Sequence, residues 1–211
     1  MRTISRVVIR RALIVLSVLL VPLAAQAAGR TILVFGDSIS AGYGLETEEG
    51  WVALLQKRLD GQGYGYRVVN ASVSGETTSG GMARLPRALA LHEPAVVVLE
   101  LGANDALRGL PLELSQRSLA GMIEASRATG AKVLLLGMRI PPNYGPRYAN
   151  GFERMYAELA KQFDIPLVPF FMEKVALDDA LLQADRLHPT AAAQPLLLDT
   201  AWPALRRLID K

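Results

Sequence analysis

Five short apolar runs recur along the chain, and each holds at least two valine, leucine or isoleucine residues. They are TILVFG (31–36), YRVVNA (66–71), AVVVLELG (95–102), KVLLLGM (132–138) and IPLVPF (165–170). Runs that are apolar at successive positions, rather than at alternate ones, are typical of strands covered on both faces. The pattern therefore predicts five strands of an internal sheet.

Between these runs, apolar residues are spaced as on one side of a helix. Intervals of three, four and seven residues bring side chains to the same side of an α-helix. The three sets are Trp51, Leu54, Leu55 and Leu59; Leu114, Leu119, Met122 and Ile123; and Phe152, Met155, Tyr156, Leu159 and Phe163. The prolines expected to break or start helices are Pro86, Pro195 and Pro203. Strands that alternate with helices predict an α/β fold with a parallel sheet between helical layers.

The first 27 residues predict a signal peptide. Four arginines precede a largely apolar run over residues 12–24, and Ala25-Gln26-Ala27 forms a small-x-small cleavage site. A membrane anchor is the alternative, but a run of 13 residues is shorter than the roughly 20 that a spanning helix needs. We expect cleavage after Ala27, which leaves residues 28–211 as a single exported domain with no stable membrane anchor.

Removal of that segment changes the net charge. The full chain has 23 lysines and arginines against 20 aspartates and glutamates, and residues 1–27 hold four of the basic residues and none of the acidic ones. The remainder, with 19 basic and 20 acidic residues, is close to neutral. We therefore expect neither a nucleic-acid groove nor a basic membrane patch. The absence of cysteine also excludes disulfides, a lipid-bearing cysteine and thiolate chemistry.

Polar or small residues follow the predicted strands at the edge where a site is expected. In open α/β sheets, ligands bind beyond the carboxyl ends of the strands. Ser38 comes just after the first strand, Gly75 after the second and Asn104 after the third. His188 lies far downstream, in a loop before the last predicted helix. These four residues are predicted to share one edge of the sheet.

Ser38 is the favoured nucleophile because it is the first exposed residue after a strand and a tight Gly-Asp turn. Asp37 is expected to brace this turn by bonding backbone amides. The chain has no G-x-S-x-G, so the nucleophile elbow of α/β-hydrolases is absent. The other serines in predicted loops that compete for the role are Ser40, Ser72, Ser74 and Ser79.

A nucleophilic serine needs a base, and the chain has two histidines. His92 lies between a predicted helix and the third strand, at the opposite edge of the sheet, and we interpret it as structural or solvated. His188 follows Asp185 by three residues in ADRLHP. A carboxylate at that separation can accept a hydrogen bond from one imidazole nitrogen and leave the other free as a base. A capping aspartate beside a surface histidine is the alternative for this pair.

Gly75 and Asn104 could stabilise the oxyanion of an acyl-transfer intermediate. A backbone N–H or an asparagine amide can donate to such an oxyanion. Gly75 has no side chain to keep a substrate from its amide. Taken singly, Gly75 could be a turn glycine and Asn104 a polar turn cap. Together with Ser38 and His188 they complete a site for a serine hydrolase.

Four segments resemble the four blocks of the SGNH (GDSL-type) hydrolases. FGDSIS, SGE, GAND and DRLHP occur in the family's order and with similar spacing. Longer segments, such as NASVSGETTSGGMARLP, resemble the bacterial periplasmic thioesterase, arylesterase and lysophospholipase branch. The resemblance covers nearly all of residues 28–211 and implies a flavodoxin-like three-layer α/β/α sandwich with a five-stranded parallel sheet. Ile39 stands where the family has leucine, an exchange expected to affect packing more than catalysis.

The resemblance implies a role for each site residue. Ser38 would be the nucleophile, and Asp185 would orient His188 as the base. The amides of Ser38 and Gly75 and the side chain of Asn104 would form the oxyanion hole. The implied reaction is hydrolysis of carboxylic esters and thioesters through an acyl-enzyme, with acyl-CoA thioesterase, arylesterase and lysophospholipase activities. It needs no cofactor or metal, and we expect a periplasmic monomer that acts on small acyl substrates.

Two loops contain apolar residues that could line an acyl groove. They are ALRGLPLEL (106–114) and RIPPNYGPRY (139–148). A soluble monomer has no packing need for apolar side chains in such loops, although they could also pack on the protein body. Arg108 could contact an anionic head group or remain solvated. The candidate substrate-binding residues are Leu107, Arg108, Leu110, Pro142 and Tyr144.

Three other functions are compatible with parts of the pattern. A carbohydrate acetylesterase would use the same catalytic residues but would prefer acetylated sugars to longer acyl chains. A metallophosphoesterase would take its ligands from Asp37, Asp105, Asp185 and His188, and two histidines without cysteine are a small supply. A periplasmic binding protein with an inactive site would not need the full set of residues that this chain has.

Overall fold

Five parallel strands form the centre of the fold. The computed structural model describes residues 30–211, so the predicted signal peptide lies outside the described residues. The strands are β1 (Arg30–Gly36), β2 (Tyr66–Asn70), β3 (Val96–Glu100), β4 (Lys132–Leu136) and β5 (Leu167–Val168). They pair in the order β2-β1-β3-β4-β5, and every pairing is parallel. This is the strand order of flavodoxin-like sheets.

Helices cover both faces of this sheet, because each connection between parallel strands must cross over it. Within residues 30–211 the α-helices are α1 (Ser38–Ala41), α2 (Trp51–Gly61), α3 (Thr78–His92), α4 (Ala103–Leu107), α5 (Leu112–Ala128), α6 (Pro146–Phe163) and α7 (Gln194–Leu205). The 3₁₀ helices there are Pro142–Tyr144, Asp179–Leu181 and Ala191–Ala193. α2 packs against α7, and α5 packs against both α3 and α6. The predicted α/β sandwich with a five-stranded parallel sheet is confirmed.

The inner strands form the core, whereas β2 is only half-buried. Residues 32–35 of β1 and 96–99 of β3 have no exposed surface. Both strands have neighbours on each side and helices on each face. In β2, Val68 and Val69 are half-buried and Arg67 is exposed. The prediction that this run is covered on both faces holds in part: Val68 and Val69, on opposite faces, both pack against the core, but β2 lies at the edge of the sheet and is more exposed than the inner strands.

The last two strands are shorter than predicted. β4 ends at Leu136, and β5 is limited to Leu167 and Val168. Pro166 and Pro169 flank β5, and proline has no N–H to donate to a neighbouring strand. The residues that follow each shortened strand consequently lie at the carboxyl edge of the sheet, where side chains can line a site.

The helical faces follow the predicted spacing with one exception in α5. Leu119, Met122 and Ile123 are fully buried, but Leu114 is 38% exposed. Leu112 packs against the core instead. Two residues correspond to roughly 200° around a helix, so Leu112 and Leu114 cannot face the sheet together.

Prolines interrupt the helices less than predicted. Pro195 lies in the first turn of α7, but Pro86 and Pro203 lie inside α3 and α7. Packing of α3 against β1 and α5 compensates for the backbone bond that Pro86 removes. His92 ends α3 just before β3, at the sheet edge predicted for it. Within residues 30–211, no helix has the length and apolar character to cross a membrane.

Candidate active site

Ser38 begins a one-turn helix directly after β1. Asp37 caps this helix, and its Oδ1 accepts a hydrogen bond of 3.1 Å from the N–H of Ile39. The prediction that Asp37 braces the turn is confirmed by this bond. The helix ends at Ala41 and is capped by Gly42, whose φ of 74° is a left-handed conformation that glycine adopts without strain. The first N–H groups of a helix have no acceptor within it, which leaves the Ser38 amide available to a ligand.

His188 and Asp185 form one hydrogen-bonded chain with Ser38. The distance is 2.8 Å from Ser38 Oγ to His188 Nε2 and 2.6 Å from His188 Nδ1 to Asp185 Oδ2. The bond from the His188 side chain is the main cause that lowers the pKa of Asp185 to about 2, and two backbone N–H groups add to it. An ionised Asp185 favours the tautomer that donates from Nδ1. Nε2 is then an acceptor for the Ser38 proton.

The loop that carries His188 is held by main-chain hydrogen bonds. Oδ1 of Asp185 accepts from the N–H groups of Leu187 and His188, each at 3.0 Å. Arg186, which follows Asp185, has a φ of 57°, a left-handed conformation uncommon for residues other than glycine. The N–H of Gln183 donates to the His188 carbonyl at 2.7 Å. These contacts fix the position and direction of the imidazole.

Asn104 is joined to the Ser38 turn through Asp37. Its Nδ2 donates a hydrogen bond of 3.1 Å to Asp37 Oδ2. An amide nitrogen carries two hydrogens, so a second N–H remains for a ligand. Asn104 belongs to α4, which follows β3, and it lines the same cavity as Ser38 and His188. The fold thus brings these three residues together at the carboxyl edge of the sheet.

Gly75 lies in the exposed loop between β2 and α3. Its φ is 77°, which favours glycine, whereas a Cβ there would have only an ordinary van der Waals contact, with Arg108 Nη2 at 3.9 Å. Conformation, not space, therefore favours glycine at this position. Arg108 donates a hydrogen bond of 3.0 Å to the Gly75 carbonyl. Arg108 thus contacts protein backbone, and Gly75 is outside the lining of the cavity beside Ser38.

Asp105 connects the elements that carry Gly75 and Asn104. Its buried carboxylate accepts from the N–H of Thr78 at 2.8 Å and from the hydroxyls of Thr78 and Ser115. Thr78 is the first residue of α3, three residues after Gly75, and Ser115 belongs to α5. One carboxylate therefore ties α3 and α5 to α4.

Two acids are buried beneath the Ser38 turn. Asp37 is 1% exposed, and desolvation raises its pKa from 3.8 to about 6, against the lowering effect of its bonds from Ile39 and Asn104. Glu100 is fully buried, and burial raises its pKa well above 4.5. The N–H of Asp37 donates to Glu100 Oε2 at 3.3 Å. No role was predicted for Glu100, although it lies in the AVVVLELG run, two residues before the start of the GAND block.

A cavity of about 260 Å³ opens beside Ser38. Most of its remaining wall is apolar: Met138, Ile140, Pro141, Phe170, Met172, Ala176, Leu182 and Leu187. Of the predicted groove residues, Leu107 lines this cavity, whereas Arg108, Leu110 and Tyr144 do not. Tyr144 lines a second groove, beside the first turns of α5 and α6. The side chain of Pro142 is not among those that the structure describes.

The sequence prediction missed Met138 and Phe170 because strand lengths were overestimated, whereas Ile140 and Pro141 lie in the loop predicted to line a groove. Met138 and Phe170 fall within runs predicted as strands, but both follow the observed ends of β4 and β5. Gly137 and Pro169, which directly precede them, are the signals that could have identified them, since glycine weakens a strand and proline has no N–H to donate to a neighbouring one. Tyr43 was also missed: its ring centroid lies 4.4 Å from that of His188. An aromatic residue just after the Ser38 helix was the available signal.

The carboxylates do not assemble into a metal cluster in the described part of the chain. Between residues 30 and 211, no three histidine, aspartate or glutamate side chains are grouped so that they could hold a metal ion. Asp105 is directed at Thr78 and Ser115 instead. The ligand set considered for a metallophosphoesterase is therefore not formed there.

Comparison with known sequences matches this chain to one protein family and to named esterases and a thioesterase. The profile of the GDSL-like Lipase/Acylhydrolase family matches residues 34–195. Esterase TesA of Pseudomonas aeruginosa is 57% identical over 190 residues, which cover 90% of this chain and 94% of that protein. The thioesterase 1/protease 1/lysophospholipase L1 of Escherichia coli strain K12 is 42% identical over 184 residues, or 87% of each chain. The arylesterase of Vibrio mimicus is 43% identical over 176 residues, covering 83% of this chain and 88% of that protein.

Solved structures give the same result for the fold. A crystal structure of TesA superposes with a TM-score of 0.83 at 57% identity, and it covers 85% of this chain and 99% of that one. The family match spans the residues of the hydrogen-bonded chain, Ser38, Asp185 and His188. Sequence and fold thus agree over the region that contains the candidate site.

Proposed function

Because the chain belongs to the GDSL-like lipase/acylhydrolase family and is a serine hydrolase that acts on esters, we propose that Ser38 is its nucleophile, His188 its general base and Asp185 the orienting carboxylate. The observation that carries this proposal is the pair of short contacts, 2.8 Å and 2.6 Å, from Ser38 through His188 to Asp185. A base must be within hydrogen-bond reach of the proton that it removes. The contact between Ser38 and His188 meets that requirement, and the contact with Asp185 holds the imidazole in place.

In the first half-reaction, His188 Nε2 takes the proton of Ser38 as Oγ attacks the acyl carbonyl. The imidazolium that forms is stabilised by the ionised Asp185, whose low pKa keeps its charge at neutral pH. His188 then returns the proton to the departing alcohol or thiol. The C–O or C–S bond breaks, and an ester of Ser38 remains.

Three donors are proposed to bind the oxyanion: the amides of Ser38 and Gly75 and the side chain of Asn104. Asp37 supports this role of Asn104, since it accepts one amide N–H and so directs the second. The left-handed φ of Gly75, and the bond from Arg108 to the carbonyl on the other side of the Gly75 Cα, support a fixed backbone at this residue. A single donor of this kind is typically worth about 100-fold to 1,000-fold in kcat.

In the second half-reaction, water replaces the leaving group. His188 removes a proton from the water, which attacks the acyl carbon, and the oxyanion is bound at the same donors. Collapse of the intermediate breaks the bond to Ser38 Oγ, and the proton on His188 returns to the serine. The acyl group leaves as a carboxylic acid, which releases its proton to solvent, and no metal or cofactor is needed.

Small acyl esters and thioesters are the proposed substrates, including acyl-CoA, aryl esters and lysophospholipids. The names of the Escherichia coli and Vibrio mimicus relatives support thioesters, lysophospholipids and aryl esters as the classes. The apolar wall of the cavity supports an acyl chain as the group bound beside Ser38. Apolar side chains make few favourable contacts with a short acetyl group or with the polar sugar that carries it. Carbohydrate esters are therefore the weaker candidate.

The test is covalent labelling with a serine-directed organophosphonate, read by intact mass. Wild type is expected to gain one adduct and lose activity in proportion, and Ser38→Ala to gain none and to lose at least about 10⁴-fold in kcat. Ser79→Ala is the matched control, because Ser79 is exposed at the start of α3. It should label and hydrolyse as wild type does.

An adduct on Ser38→Ala, or activity that survives the substitution, would contradict the assignment of the nucleophile. In parallel, p-nitrophenyl esters of increasing acyl length separate the substrate classes. A kcat/KM that rises beyond the acetyl ester supports an acyl-chain enzyme. A maximum at acetate, with hydrolysis of acetylated sugars, would favour the carbohydrate acetylesterase.

We further propose that residues 1–27 direct export and are removed after Ala27. Residues 28–211 would then form one periplasmic domain that acts as a monomer without a stable membrane anchor. The support is the basic start, the short apolar run and the small-x-small site of the sequence. N-terminal sequencing of the protein from a periplasmic fraction should begin at Ala28.

A further inference from the structure

Glu100 is a buried acid placed directly under the Ser38 turn. It ends β3, has no exposed surface, and pairs in register with Gly36 at the end of β1. Its Oε2 accepts from the N–H of Asp37 at 3.3 Å and from the hydroxyl of Ser40 at 2.8 Å. Glu100 therefore bonds to residues on both sides of Ser38, one before it and one within its helix.

The surroundings of Glu100 favour the neutral acid. Among the described residues, its second oxygen, Oε1, is buried without a hydrogen-bond partner. A buried anionic oxygen with no donor is costly, and Asp37 adds a second buried acid next to it. Burial and the Asp37 charge, in that order, raise the pKa of Glu100. The other titratable neighbour, Tyr156, donates its hydroxyl to the carbonyl of Leu101 and cannot satisfy Oε1.

Glu100 also connects the nucleophile turn with the loop of the base. The Ser40 hydroxyl that bonds to Glu100 is within 3.3 Å of Trp51 Nε1, which donates to it. The backbone N–H of Trp51 donates to Gln194 Oε1 at 3.0 Å, and Gln194 Nε2 donates to the carbonyl of Thr190 at 3.3 Å. Thr190 lies two residues after His188. A hydrogen-bonded network through buried side chains thus extends from beneath Ser38 to the loop of its base.

We propose that Glu100 is a positioning residue that acts as a neutral acid, holding the Gly36-Asp37-Ser38 turn so that the Ser38 hydroxyl meets His188. It does not touch substrate. Its function is to supply one acceptor, Oε2, at a point that the backbone of Asp37 and the hydroxyl of Ser40 both reach. The proton resides on Oε1, because Oε2 already accepts.

This inference rests on the proposed role of Ser38, and three variants test it. Glu100→Gln keeps the length and an acceptor oxygen without charge, and Glu100→Asp keeps the acid but is one methylene shorter. Val97→Ala is the matched control, a fully buried residue of the same strand, distant from the turn. Ester hydrolysis, phosphonate labelling rate and thermal stability are measured for each.

The expected order of kcat is specific to a neutral positioning role. Glu100→Gln should stay within about threefold of wild type. Glu100→Asp should lose about 100-fold in kcat with little change in KM, the size of effect expected when a reacting group is displaced by about 1 Å. Val97→Ala should lose stability and keep kcat. The acidic limb of the kcat/KM profile should coincide in wild type and Glu100→Gln.

Several outcomes would overturn the proposal. Greater activity in Glu100→Asp than in Glu100→Gln would mean that charge is required. An acidic limb that moves to lower pH in Glu100→Gln would show that a negative charge had stabilised the imidazolium. Failure of Glu100→Gln to fold would exclude a neutral acid at this position. If wild type does not label on Ser38, the proposed nucleophile fails; if it labels and the variants do not differ, only the role of Glu100 fails.

Discussion

At the scale of single residues, the site depends on how closely two strands approach at one glycine. A Cβ on Gly36 would lie 2.6 Å from Glu100 Oε2 and 2.9 Å from both the Glu100 carbonyl and Ser40 Oγ. Glycine at this position therefore lets a buried acid lie directly under the turn that presents Ser38. The φ of Gly36 is not left-handed, so space rather than conformation requires it.

Gly36→Ala tests this close approach. We expect a loss of about 1–3 kcal/mol in the free energy of unfolding, because the added methyl overlaps backbone and a fixed carboxyl. kcat should fall as well, since the turn must move. Urea denaturation and ester hydrolysis provide the measurements.

Gly61→Ala is the control for that substitution. A Cβ there would meet nothing within 4 Å, and Gly61 is the last residue of α2. Alanine should leave activity unchanged and add up to about 1 kcal/mol of stability. Equal effects of the two substitutions would refute the steric argument.

At the scale of elements, α4 matters because it connects two loops of the site. Asn104 and Asp105 are adjacent, yet they point to different partners: Asn104 to Asp37 at the end of β1, and Asp105 to the first turn of α3. The position of the Gly75 loop is thereby linked to that of Asn104. A five-residue helix has little stability of its own, so these contacts determine its place.

Asp105→Ala should loosen both loops. Three donors, the N–H and hydroxyl of Thr78 and the hydroxyl of Ser115, would lose their acceptor, and we expect about 3 kcal/mol less stability. kcat should fall by about tenfold or more, because Gly75 and Asn104 both lose support. Ser115→Ala removes a single hydrogen bond and should cost about 1 kcal/mol with kcat unchanged. Equal losses of kcat in the two variants would mean that α5, not the link between α3 and α4, supports the site.

At the scale of the whole molecule, buried and exposed acids of the site affect stability in opposite directions. Burial raises the pKa of Asp37 to about 6, whereas the hydrogen bond from His188 lowers that of Asp185 to about 2. The folded state therefore favours the protonated form of one and the ionised form of the other. The contribution of these two groups to the free energy of unfolding should therefore be greatest near pH 4 and should fall at lower and at higher pH.

Asp37→Asn isolates the first of these effects. Between about pH 4 and 6 the unfolded chain releases the Asp37 proton while the folded protein keeps it, so the free energy of unfolding falls as pH rises. A difference of about two pKa units corresponds to about 3 kcal/mol. In Asp37→Asn this fall should be reduced by that amount. Any offset from altered hydrogen bonds is constant with pH and leaves the slope unaffected.

Asp185→Asn provides the comparison in the same urea titrations. The stability contributed by Asp185 is present above about pH 4 and is lost as pH falls towards 2, so only the acidic side of the profile should change. A pH 4–6 slope that is identical in Asp37→Asn and wild type would show that Asp37 does not keep its proton in the folded state.

The sequence by itself determined the order of elements, the parallel sheet and the family resemblance, which are confirmed. These depend on patterns within a few residues of one another: continuous apolar runs, helical spacing and four short motifs. The same local reasoning predicted that Asp37 braces the turn. It also predicted that Ser38, Gly75 and Asn104 follow strand ends and share one edge of the sheet with His188, because the carboxyl edge of a parallel sheet is known once the strands are known. Assignment of their roles in the reaction stays a prediction.

The tertiary structure decided what depends on contacts distant in the sequence. Strand pairing places Glu100 opposite Gly36, and the fold brings His188 to within 2.8 Å of Ser38, 150 residues earlier. Strand lengths depended on the neighbours available, so Met138 and Phe170 became cavity wall instead of strand. The difference has a physical cause: local propensity acts through the backbone of adjacent residues, whereas register, burial and cavity shape are set only when separate elements pack together.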